Sequence, residues 1–127
     1  MSEGYVSLHG YEEILNTITP WVHRCEHRGL FLKIFTDILL GESMDYLNLY
    51  LTVEDGQGYL QDANNLYAVL DDYYNIKADV MCDMARRVGL DFDDYRVSVA
   101  VTPDPDVLRD CLQRYARLTA LLCTCPK

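Results

Sequence analysis

Apolar residues recur at three- and four-residue steps through YEEILNTITPWVHRC, at Ile14, Leu15, Ile18, Trp21, Val22 and Cys25. That is the spacing of one buried helix face, and it predicts a helix near 11–28. Pro20 interrupts the pattern, and Thr19-Pro20 reads as an N-cap followed by proline at the first helical position, so a kink or break is expected there. Gly29 then offers a stop. The run LFLKIFTDILLG fits a buried helix ended by Gly41 as well as a pair of strands, and is read as a helix near 30–40.

DYLNLYLTV alternates instead: Leu47, Leu49, Leu51 and Val53 point one way, while Tyr46, Asn48, Tyr50 and Thr52 point the other. This predicts a half-buried strand near 46–53, closed by the turn signal EDGQG. Leu66, Val69, Leu70, Tyr73, Val80, Met84 and Val88 restore a helical period over 62–88, with Asn75 a point of division and Gly89 placed as a C-terminal cap. RVSVAVT alternates again and predicts a strand near 95–101. TPDPD, with prolines and acids at a helix start, opens a last helix near 104–122 that carries Val107, Leu108, Cys111, Leu112, Tyr115, Leu118, Leu121 and Leu122. The expected fold class is α+β, a mostly helical single domain over 1–127 with a small sheet as one layer.

Composition agrees with a globular chain. Of its 127 residues half are apolar and about a quarter charged. The net charge of −9 is unevenly spread: residues 1–44 carry −3, residues 45–106 carry −9 and residues 107–127 carry +3. Such a balance repels nucleic-acid backbones and anionic leaflets, so neither direct nucleic-acid binding nor membrane contact is expected. Five scattered cysteines, with no basic segment and apolar run at the start, suit free thiols in a reducing cytoplasmic compartment.

The stretch WVHRCEHRG crowds His23, Cys25 and His27 together. On a helix, at about 100° per residue, the two histidines share one side while Cys25 lies on the other with Trp21 and Val22. The thiol then has no base within reach and reads as a core residue. His23 and His27 alone are two ligands, too few for a metal site, and HRCEH is not the H-E-x-x-H pattern. CTC at 123–125 lacks a second cysteine pair. DFDDY starts like a calcium loop but places Arg96 where glycine is needed and Thr102 where a glutamate belongs, so it reads as an acidic turn ahead of a strand. No phosphate-binding, dinucleotide-binding or nucleophile-elbow motif occurs. No enzymatic activity, cofactor or metal is expected.

Seven of ten tyrosines fall in the acidic middle of the chain, several beside aspartate, as in Asp45-Tyr46, Asp72-Tyr73 and Asp94-Tyr95. Tyrosine buries a large rigid area at small entropic cost, and surrounding carboxylates draw lysine and arginine. The combination points to a non-enzymatic protein-binding module that docks Asp45, Tyr46, Tyr50, Asp71, Asp72, Tyr73, Tyr74, Asp91, Asp93, Asp94 and Tyr95 on a basic partner protein. Toxin-neutralising immunity proteins, and inhibitors that phages or plasmids deploy against nucleic-acid-handling defence machinery, share this size and charge. Against a nucleic-acid-binding partner, Asp71, Asp72, Asp91, Asp93 and Asp94 would mimic backbone phosphates. Two alternatives stand beside it. In one, Arg109, Arg114 and Arg117 meet the acidic band of a second copy in a homodimer or larger assembly. In the other, His23 and His27 serve a small metal-binding protein.

Overall fold

The computed structural model describes residues 3–18, 20–40, 46–63, 66–68, 71 and 76–123. Its elements are α1 (Glu3–Leu15), β1 (Val22–Arg28), β2 (Phe31–Leu39), β3 (Tyr46–Glu54), β4 (Gln57–Gln61), α2 (Ala78–Arg87), β5 (Asp91–Asp93), β6 (Arg96–Val101) and α3 (Pro105–Cys123), with residues 66–68 also helical. The strands form one antiparallel sheet in the order β1-β2-β3-β4-β6-β5. The fold is therefore α+β, but the six-stranded sheet and not the helices makes its framework.

The two expected strands are present as β3 and β6, and the last helix as α3. The helices expected near 11–28 and 30–40 are corrected: the first ends at Leu15, and β1 and β2 take the rest. A bulge between Val22 and Arg24 explains the first error, because an extra residue lets Val22 and Cys25, three apart, both face the core from a strand. In β2, Leu32, Ile34, Thr36 and Ile38 alternate inward without exception, but Phe31, Phe35 and Leu39 on the other face make the run look continuously apolar. Gly29, expected to stop a helix, instead holds φ 61° at the first position of the two-residue β1–β2 hairpin. Thr19, Gly41, Val69, Leu70 and Asn75 lie outside the described residues.

Local chemistry fixes the remaining ends. Asp55 and Gly56, both at positive φ, make the β3–β4 turn. Asp104 caps α3, its Oδ1 accepting from the Asp106 N–H at 2.8 Å, and Pro105 fills the first helical position. Gly89 caps α2 as expected: at φ 81° it donates to the Arg86 carbonyl while the Leu90 N–H reaches the Ala85 carbonyl at 2.9 Å. The buried side of α2 is formed by Met81 and Ala85, whereas Val80, expected there, is exposed.

All the helices stand on one face of the sheet. α1 packs over β1, β2 and β3, α3 over β2 and β6, and α2 against α3 and β5. One core forms between the layers, from the inward residues of every long strand with Leu15 of α1, Met81 of α2 and Leu108, Leu112, Tyr115, Leu118 and Leu122 of α3. The Tyr115 hydroxyl crosses that core to donate to the Val97 carbonyl at 2.8 Å. Among the described residues no helix packs on the opposite face of the sheet.

Candidate functional site

The described members of the Asp/Tyr set separate into two groups. Tyr46 and Tyr50 on β3 and Asp91 and Asp93 on β5 lie on the uncovered sheet face, since register links Tyr50 through Gln61 and Ser98 to Asp91. Asp71, Asp94 and Tyr95 stand at the end of the β5–β6 hairpin and the helical segment beside it. Asp45, Asp72, Tyr73 and Tyr74 lie outside the described residues.

The hairpin end is an aromatic cluster ringed by carboxylates. Asp94 and Tyr95 form the two-residue turn with φ of 53° and 61°, conformations that glycine or asparagine adopts more cheaply. Tyr95 stays 51 % exposed, yet its ring stacks on Tyr67 with centroids 5.1 Å apart and meets Phe92 edge-on at 6.2 Å. Tyr67 and Phe92 lie 6.0 Å apart. Burial, and then the negative charges of Asp71 and Asp79, push the Tyr67 hydroxyl above its ordinary pKa. Tyr67 and Asp79 were missed in the sequence because only the fold brings them to the hairpin; Tyr67 sits 28 positions from Tyr95.

The uncovered sheet face has a different character. Phe31 packs edge-on against Tyr50 at 5.6 Å, and the Arg24 guanidinium and Lys33 ammonium flank the Phe35 ring at 4.3 and 4.9 Å. Glu26 sits between Arg28 and Arg24, the latter at 3.0 Å, and the hydrogen bond from Arg28, then the charges of the neighbouring cations, lower its pKa. A shallow depression of about 180 Å³ at the other side of this face is lined by Thr52, Glu54, Tyr59, Gln61, Asp93 and Arg96. Phe31, Phe35 and Tyr59 were not legible as site residues, the first two because their segment reads as a helix.

The chemistry around His23 is that of a surface. Cys25 faces the core and burial pushes its thiol up to about 12, while His23 lies on the outside 3.9 Å from Asp37. His9 pairs with Glu13 at 3.0 Å. Among the described residues no three His, Cys, Asp or Glu side chains are grouped to hold a metal ion, and Cys125 of the CTC tail lies outside them. Two of the three arginines considered for assembly are engaged along α3: Arg109 lies 3.5 Å from Asp106, and Arg114 lies 2.8 Å from Asp110 and donates to the Gly89 carbonyl. Among the described residues no helix is long and apolar enough to cross a membrane.

No family model, curated protein or solved structure matches this chain.

Proposed function

We propose that this protein is a non-enzymatic protein-binding module that receives a basic segment of a partner protein at the β5–β6 hairpin end, where Tyr67, Phe92 and Tyr95 offer an aromatic platform within reach of Asp71, Asp79 and Asp94. The observation that carries this reading is the turn itself. Two non-glycine residues are held at positive φ, an arrangement of order 1–3 kcal/mol per residue less favourable than an ordinary backbone, and what it presents is a half-exposed tyrosine. A Lys or Arg side chain laid on that platform would gain both a ring face and a carboxylate. The same carboxylates would speed encounter with a basic protein, including one whose basic surface normally grips nucleic acid.

The test is capture from cell lysate by immobilised protein at low and at moderate salt, with wild type, Tyr95→Ala and Asp71→Lys/Asp94→Lys compared side by side. One stoichiometric partner with a basic surface, retained by wild type and lost by both variants, is the expected result. Tyr95→Ala alone should weaken it by about 2 kcal/mol, the scale of an interfacial tyrosine anchor. A partner held equally by all three proteins would remove the hairpin end from the interface.

A further inference from the structure

The uncovered sheet face is mixed in charge, with a basic excess at one margin and an acidic excess at the other. Arg96 on β6 stands opposite Asp93, and Glu54 ends β3 on the same face. Arg24, Arg28 and Lys33 stand on β1 and β2 with Glu26 bracketed among them, and Asp91 and Asp93 stand on β5, five strands away from β1. Phe31, Tyr50, Thr52, Tyr59 and Gln61 lie between. A line between β3 and β4 divides the sheet three strands to each side, with Tyr50 and Gln61 facing one another across it.

From this arrangement we propose that the uncovered face is the interface of a symmetric homodimer, two sheets packed face to face about a two-fold axis along that line. The rotation lays β1 over β5, β2 over β6 and β3 over β4 of the second copy. Following the register, Arg24 then falls over Asp93, Phe35 over Arg96, Phe31 over Ala100 and Tyr50 over Gln61. Every one of these contacts occurs twice, as an isologous interface requires. Two like-charge meetings oppose this pairing: Glu26 over Asp91, where two arginines already flank Glu26, and Arg96 over the Phe35 ring, which Arg24 and Lys33 of the facing copy flank at 4.3 and 4.9 Å.

One further observation fits this occupant. Six strands at about 4.8 Å spacing, facing one another over up to about 17 Å of their length, give roughly 500 Å² on each sheet and on the order of 1,000 Å² over both copies, the lower limit for a specific interface, at the separation of about 10 Å usual for aligned sheets. The hairpin turn with Asp94 and Tyr95 lies outside the paired area, so this inference stands apart from the partner site proposed there.

Sedimentation velocity on the full chain, with wild type, Arg24→Asp, Asp93→Arg, the double swap Arg24→Asp/Asp93→Arg and Asp94→Lys, tests it. The expected result is a wild-type dimer that each single reversal weakens at least about tenfold, that the double swap restores and that Asp94→Lys leaves unchanged. These side chains are exposed, and the far-UV circular dichroism spectrum of each single variant separates a lost dimer from a lost fold. A wild-type monomer at the highest soluble concentration, or a dimer indifferent to Asp93→Arg, or failure of the swap to restore it, would overturn the proposal.

Discussion

Gly58 and Tyr11 show how one residue sets the spacing between layers. Gly58, on β4, leaves room for the Tyr11 ring to lie against the sheet and donate from its hydroxyl to the Val101 carbonyl at 3.1 Å. A Cβ on residue 58 would sit 2.7 Å from the Tyr11 Cζ. Gly58→Ala should therefore destabilise the protein by about 1–3 kcal/mol in urea denaturation, and combined with Tyr11→Ala, itself destabilising, it should cost less than the sum of the two single losses. Nothing in QGYLQ announces the contact, because the two residues are 47 positions apart. Cys25 illustrates the reverse case. Its burial was legible from apolar spacing alone, although the element that buries it is a strand. With its thiol pushed up to about 12, Cys25 should resist iodoacetamide in the native protein, as should the buried Cys111, and both should label only on unfolding; peptide mass mapping of labelled protein reads this directly.

Asp62 joins elements that the chain separates. It is fully buried at the end of β4, where one carboxylate oxygen accepts from the Leu66 N–H at 3.1 Å and starts the helical turn at 66–68, and the other accepts from the Val97 N–H of β6 at 3.0 Å. Asp62→Ala leaves both donors buried without that acceptor and should cost about 2–4 kcal/mol of stability, whereas Asp62→Asn keeps one acceptor oxygen and should cost less; thermal unfolding of the pair ranks them. Element type was legible where one period dominated. β3 alternates because only one of its faces is buried, and α3 declares its start by Asp104-Pro105. β1 and β2 were misread because a bulge gave β1 a helix-like spacing and aromatic residues on the uncovered face filled the polar phase of β2. β4 and β5, five and three residues long, carry too few periods to register at all.

At the scale of the whole molecule, the buried hydroxyls and thiols set its response to alkali. Burial raises the pKa values of Cys25, Cys111, Tyr11 and Tyr115 in the folded state, so the folded chain holds these protons more tightly than the unfolded one. For Cys25 the contribution is constant below its ordinary value of 9.0 and falls as pH climbs from there toward about 12; the tyrosines add to the fall above 10.0. Urea midpoints should therefore drop steadily above pH 9, and Cys25→Ala should flatten the first part of that drop relative to its own value at pH 7. The net charge of −9 makes the hairpin end acidic but leaves the β1–β2 margin of the sheet locally basic, a division that a residue count cannot show.

The sequence by itself determined most of the apolar side chains that are buried, though not the exposure of Val80. It also determined the turn at Asp55-Gly56, the caps at Asp104 and Gly89, and the concentration of Asp and Tyr in the middle of the chain. These follow from local properties: side-chain transfer out of water, backbone freedom at glycine, and capping by neighbours in sequence. Only the tertiary structure decided that 22–39 pair as strands, that Tyr67 meets Tyr95, and that Tyr50 shares a face with Asp91 while Tyr95 does not. Those outcomes depend on hydrogen-bond register between distant segments, which alternates the direction of every side chain and so distributes one composition over two surfaces of opposite use.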